Sequence, residues 1–204
     1  MPGIRHIVFD LGNVLFPVDE SIAAREVARL SGYDQSTAQE VMFGPHRKQP
    51  LESGIEGWQD WANSVRTELS LDIPDRHLEQ IFTSILSPDD DMLALAEELA
   101  TDYGVGCCSN TSEPHWRAMC AAAPFLSRMA PRVLSYEVGA MKPDSAVYSA
   151  VVDGAGVEAG SVLFIDDTET NVAAARATGL NAVRFTDMAQ LKAALCRMGV
   201  KAAE

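Results

Sequence analysis

Short apolar runs alternate with helical periodicities along most of this chain. Ile7-Val8-Phe9, Val105-Gly106-Cys107-Cys108, Val133-Leu134, Leu163-Phe164-Ile165 and Ala182-Val183 are apolar on successive positions rather than alternate ones. Strands buried on both faces of a parallel sheet read this way. The runs predict strands over residues 5–9, 103–108, 132–134, 162–165 and 182–185. Helical stretches ending in glycine lie among the later strands. The clearest covers 170–178 and stops at Gly179, and its Ala173-Ala174-Ala175 allows close approach to a sheet. A last amphipathic helix is expected over 189–199. Strands alternating with helices predict an α/β fold, a doubly wound parallel sheet covered on both sides.

Residues 19–87 break the rhythm, with helical periodicity but no convincing strand. Ile55, Trp58, Ala62, Val65 and Leu69 fall at i, i+3, i+7, i+10 and i+14, one stripe of an amphipathic helix. Trp58 and Trp61 are packing residues on this reading. Leu78, Ile81, Phe82 and Ile85 form a second stripe after Pro74, a residue that can open a helix. Val27 and Leu30 mark another, ending near Gly32. Ser87-Pro88-Asp89 reads as a return linker and helix cap. The organisation expected is a core built from 1–18 and 88–204, with a small helical insertion, 19–87, inside it.

Composition narrows the partners. At 204 residues and 47% hydrophobic, the chain can bury such a core and a modest insertion. Lys plus Arg number 16 against 29 Asp plus Glu, a formal charge of −13. With no cationic surplus to neutralise phosphodiesters or lipid headgroups, neither a nucleic-acid nor a membrane partner is expected. No apolar stretch approaches the roughly 20 residues that span a bilayer, and the first residues lack the apolar segment of a signal peptide. The four cysteines form no C-x-x-C pair. Buried structural thiols at Cys107-Cys108 and a reducing, cytoplasmic setting are therefore expected. The pattern leaves monomer and homodimer open.

The chemistry lies at strand ends. Asp10 closes the first apolar run and Asp166-Asp167 closes the fourth, and a carboxylate ending a buried strand is costly unless it binds something. In an open parallel sheet, ligands sit in the crevice beyond the carboxyl edge. Four segments place polar groups there: Asp10-Leu11-Gly12-Asn13-Val14, Ser109-Asn110-Thr111, Gly139-Ala140-Met141-Lys142-Pro143-Asp144, and Asp166-Asp167 followed by Asn171. Each alone has a plain alternative, as a turn cap, a helix cap or a solvated lysine. Together they require four coincidences at one sheet edge. Elsewhere, His46-Arg47-Lys48-Gln49-Pro50, ahead of Glu52, is a rare cationic cluster. It reads as a solvated loop, or as a contact for a second anionic or polyhydroxylated part of a substrate. His115 and Trp116 fall near the crevice, where His115 reads as a surface histidine at a helix start.

The four segments, in order and spacing, resemble the sequence motifs of the haloacid dehalogenase-like (HAD) hydrolase superfamily. The likeness spans essentially the whole chain, and the insertion falls where a C1-type cap does. Phe9-Asp10-Leu11-Gly12-Asn13-Val14 with Ser109-Asn110-Thr111 is most similar to bacterial sugar-1-phosphate phosphatases and the N-terminal phosphatase domain of soluble epoxide hydrolases. The resemblance implies Mg²⁺-dependent hydrolysis of a small phosphorylated metabolite through an aspartyl-phosphate on Asp10. It implies metal ligands at Asp10, the Gly12 carbonyl and Asp167, with Asp166 acting through water or as an orienting group. Ser109 and the amide of Asn110 would hold phosphate oxygens, and Lys142 would balance the charge gathered there.

One position departs from the pattern. Phosphatases of this superfamily usually carry a second aspartate two residues after the nucleophile, as general acid and base; here Gly12 stands there. A replacement from Asp19 or the insertion, and a preference for esters with good leaving groups, are the expectations. A metal-free 2-haloacid dehalogenase is the alternative enzyme, although paired acids in the fourth motif argue for a metal. A weakly active binding or regulatory module is the alternative outside catalysis.

Overall fold

The computed structural model describes residues 3–201, so the outermost positions of the expected core, 1–2 and 202–204, lie outside the described residues. Five parallel strands form one sheet in the order β3-β2-β1-β4-β5. They are β1 His6–Phe9, β2 Gly104–Ser109, β3 Arg132–Leu134, β4 Val162–Asp166 and β5 Asn181–Arg184. The first strand is central, and Phe9 is in register with Cys107 on one side and Ile165 on the other. The chain winds outward through β2 and β3, then crosses to β4 and β5, so the topological switch lies between β1 and β4. The expected doubly wound parallel sheet is present.

Side-chain alternation along each strand separates two cores. Ile7, Phe9, Cys107, Leu163 and Ile165 pack on one face with Met92, Leu95 and Leu99 of α6 (Asp90–Leu99), Trp116 and Met119 of α7 (Glu113–Ala122), and Leu191 and Leu195 of α11 (Met188–Arg197). Val8, Cys108, Phe164 and Ala182 take the other face, with Val147, Tyr148 and Val151 of α9 (Ser145–Ala155) and Val172 and Ala175 of α10 (Glu169–Ala177). A short helix, α8 (Ser135–Val138), ends at Gly139 in the left-handed conformation.

Five helices, α1 Glu20–Ser31, α2 Gln35–Phe43, α3 Pro45–Glu52, α4 Trp58–Glu68 and α5 Asp75–Thr83, intervene between β1 and α6. They enclose a third cluster that includes Val27, Met42, Trp61, Val65, Leu69, Leu78 and Phe82. The two chain passages joining this insert to the sheet touch through an antiparallel bridge between Val18 and Leu86. α1 ends at Gly32 (φ 79°), and Asp89 caps α6, both where the sequence signals them. Ile55 departs from its expected stripe: α4 starts at Trp58, after Gly57, and Ile55 is 86% exposed in the preceding turn. The cationic cluster at 46–50, expected as a solvated loop, lies instead within helix α3. Pro45 occupies the first helical turn, where a missing N–H costs nothing.

Candidate active site

The observed strands end one residue beyond expectation at two places, and both residues are polar. Ser109 closes β2 and Asp166 closes β4. Asp10 follows β1 directly, its N–H donating to Ile165 O at 2.8 Å. A tight turn then folds Val14, Leu15 and Phe16 back onto the Leu11 carbonyl. Asn13 takes the left-handed conformation within it (φ 55°), one that asparagine tolerates better than most residues. Its Oδ1 accepts from Val18 N–H at 3.1 Å, which closes the turn.

Lys142 stands between the two strand-end acids. Its Nζ lies 2.8 Å from Asp10 Oδ2 and 2.6 Å from Asp166 Oδ2, with all three side chains almost fully buried. Asn110 holds the lysine from behind by a paired contact, Asn110 Nδ2 donating to Lys142 O at 3.0 Å and Lys142 N–H donating to Asn110 Oδ1 at 2.8 Å. The Asn110 side chain is thus committed to the backbone, which leaves its N–H as the group available to an anion. Asp166 is held by two further donors, Thr168 N–H at 2.8 Å and Asn171 Nδ2, which lies 3.0 and 3.2 Å from its two carboxylate oxygens. Tyr148 donates to Asn171 O at 2.9 Å and packs edge-on against Phe164. Ser135 Oγ fixes the Ser109-Asn110-Thr111 turn, accepting from Thr111 N–H at 2.9 Å.

Charge in this cluster is unbalanced. Asp10, Asp166 and Asp167 bring carboxylate oxygens within 4.8 Å of one another against the single cation Lys142. Burial pushes Asp10 up to about 6; Lys142 opposes and Asp166 adds to the rise. Burial alone would lower Lys142, but Asp10 and Asp166 outweigh it and raise its pKa. The residual negative charge and the all-oxygen donor set fit a small hard divalent cation. Asp167 and Gly12 line the adjoining cavity, while Asp166 is completely buried behind them. Asp10, Asp167 and the Gly12 carbonyl could therefore hold such an ion directly, with Asp166 orienting Lys142 and the turn.

That cavity, of about 410 Å³, is shared between sheet and insert. From the sheet come Asp10, Gly12, Ser109, Asn110, Lys142 and Asp167; the insert adds Glu20, Lys48 and Glu52 beside an apolar wall of Met42, Phe43, Trp61, Phe82 and Ile85. A model of the haloacid dehalogenase-like hydrolases matches residues 4–179. The chain belongs to this HAD family. Among solved structures, a HAD family enzyme from Bacteroides thetaiotaomicron, in complex with magnesium and inorganic phosphate, is 24% identical with a TM-score of 0.81, over 93% of this chain and 99% of that one. A predicted HAD-like hydrolase from Porphyromonas gingivalis is 22% identical with a TM-score of 0.80, over 98% and 100%. An L-2-haloacid dehalogenase from Xanthobacter autotrophicus is more distant, at 20% identity and a TM-score of 0.63, over 97% and 84%. At these identities the likeness is one of fold. No curated protein matches the chain.

Several parts of this HAD site were invisible in the sequence. Glu20 and Glu52 reach the cavity from helices without a motif, and so do the aromatic wall residues. Of the cationic cluster only Lys48 reaches it, 2.8 Å from Glu20 Oε1; Arg47 pairs with Glu68 and His46 with Glu40. Asp19, named as a replacement acid, is exposed and caps α1. Space does not demand glycine at position 12, where a Cβ would meet only Val18 Cγ2 at an ordinary 3.6 Å. Cys107 and Cys108 are buried free thiols, as expected. Burial pushes the Cys108 thiol up to about 12.

His115 corrects a sequence expectation. It is 8% exposed, stacks on Phe82 with ring centroids 4.1 Å apart, and places Nε2 3.1 Å from Phe82 O. A carbonyl partner requires the proton on Nε2. Burial lowers its pKa to about 4, so between about pH 6.5 and 4 the unfolded chain takes up a proton that the folded one refuses. Stability is therefore lost as pH falls through that window, by roughly 3 kcal/mol from this residue. Urea unfolding at pH 7 and pH 5 checks it: His115→Gln should lose distinctly less stability between the two pH values than the wild type. Equal losses would contradict a buried neutral histidine.

Proposed function

We propose that this protein is a Mg²⁺-dependent phosphatase of small phosphorylated metabolites, sugar phosphates foremost. The observation that carries the reading is the trio Asp10, Asp166 and Asp167, two of them paired with Lys142, beside a cavity shared by the sheet and the insert. A dianionic phosphate facing that cluster would be repelled unless a cation joined it. Mg²⁺ would supply the missing positive charge, held by Asp10, the Gly12 carbonyl and Asp167. Asp10 then attacks phosphorus, forming an aspartyl-phosphate as the ester bond breaks. Lys142 Nζ offsets the charge shared by Asp10 and the incoming phosphate, while Ser109 Oγ and Asn110 N–H hold its oxygens. The helical insert acts as the cap that excludes water and meets the leaving group. With glycine at position 12, esters with good leaving groups, such as anomeric sugar phosphates, are favoured.

Release of inorganic phosphate from 4-nitrophenyl phosphate tests the reading. Turnover is expected with Mg²⁺, lost on chelation and regained when Mg²⁺ is restored. Absence of phosphate release in every condition would remove the proposal. Halide release from a 2-haloacid in the presence of chelator would replace it with the dehalogenase.

A further inference from the structure

The proton needed by the leaving oxygen has no donor at Gly12, and the cavity holds few candidates. Glu20 is fully engaged: Lys48 takes Oε1 at 2.8 Å and Gln39 Nε2 takes Oε2 at 2.7 Å. His115 has committed its Nε2 proton to Phe82 O. Lys48 is held by Glu20, and Asp167 belongs with the acid trio. Glu52 differs. It ends α3, half-buried and lining the cavity, and among the described residues its carboxylate accepts no hydrogen bond.

We propose that Glu52, delivered by the insert, is the general acid and base that stands in for the side chain missing at position 12. The inference rests on the phosphatase reading. Burial pushes the Glu52 carboxyl above its ordinary value; Lys48 opposes, Glu20 adds to the rise, and Lys142 across the cavity opposes. A carboxyl that lines the cavity, accepts no hydrogen bond among the described residues and is pushed above its ordinary value by burial is suited to donating a proton. In the first step Asp10 Oδ bonds to phosphorus, the bond from phosphorus to the ester oxygen breaks, and Glu52 passes its proton to that oxygen. In the second, Glu52 carboxylate takes a proton from water as the water oxygen attacks phosphorus. The bond to Asp10 then breaks, giving inorganic phosphate, free Asp10 and reprotonated Glu52.

The test compares phenyl phosphate with 4-nitrophenyl phosphate, two esters of similar shape, of which only phenyl phosphate has a leaving group that needs a proton. In Glu52→Gln, kcat/KM on phenyl phosphate, which reports only the step that forms the aspartyl-phosphate, should fall about 10²-fold or more, while kcat/KM on 4-nitrophenyl phosphate changes far less. A structural role for Glu52 would depress both alike. Glu52→Ala provides a second reading: added acetate should restore kcat/KM for phenyl phosphate and leave that for 4-nitrophenyl phosphate little changed. Equal losses of kcat/KM on both esters, or no loss, with no acetate rescue would overturn the proposal and leave the phosphatase reading standing. A wild type inactive on both esters would end both.

Discussion

Asp10→Asn is expected to cut phosphate release by about 10⁴-fold or more, the scale on which loss of a covalent nucleophile is felt, while the metal-free fold becomes firmer. The two effects have one cause. Asp10 is placed by β1 where its carboxylate is nearly water-free and close to Asp166. Its folded pKa, about 6, exceeds the ordinary 3.8. The penalty for holding it ionised is therefore full above about pH 6 and fades as pH falls toward 3.8. Asparagine accepts from Leu11 N–H and faces Lys142 without that penalty, but it cannot displace an ester oxygen. Melting in chelator at neutral pH, together with the phosphate assay, checks both. A variant that retains turnover would show that the nucleophile lies elsewhere; one that melts lower would show that Lys142 more than offsets the burial of Asp10.

Lys142→Met carries the largest expected loss of stability. Methionine fills much the same space but leaves Asp10 and Asp166 buried with no cation, a change that typically costs about 3–5 kcal/mol. Turnover should disappear with it. Excess Mg²⁺ should recover part of the stability, because a ligand bound only by the folded chain shifts unfolding by mass action. Urea unfolding in chelator and in Mg²⁺ gives both numbers. If the variant unfolds at the wild-type urea concentration in chelator, the two acids are not relying on this lysine. If Mg²⁺ does not raise the midpoint, the acid trio is not a cation site.

The core was legible because its signals are local. Five apolar runs predicted five strands to within a residue at each end, since a strand buried on both faces must be apolar on consecutive positions. Asp10, Ser109, Lys142 and Asp166-Asp167 were legible as candidates because each follows such a run or its loop. The insert was less so. α3 is a polar, cationic run that lacks the apolar stripe of a helix, and Ile55 matches the spacing of a stripe it does not join. His115, in a polar segment, gave no sign of the Phe82 ring and carbonyl that bury it.

The sequence by itself determined the α/β class, the helical interruption after the first strand and the set of acids that belong to strand ends. Those follow from periodicity and from the cost of leaving a carboxylate in an apolar run. Only the tertiary structure decided how the groups share charge. Strand order brings β4 beside β1, and so Asp166 within reach of Lys142 and Asp10, while Asn110, 32 residues from Lys142, clamps that lysine's backbone. It alone also set Glu20 against Lys48 and placed Glu52 in the cavity with no hydrogen-bond partner among the described residues. The reason is physical: burial and pairing depend on what the rest of the chain packs around a side chain, and no short window of sequence contains that.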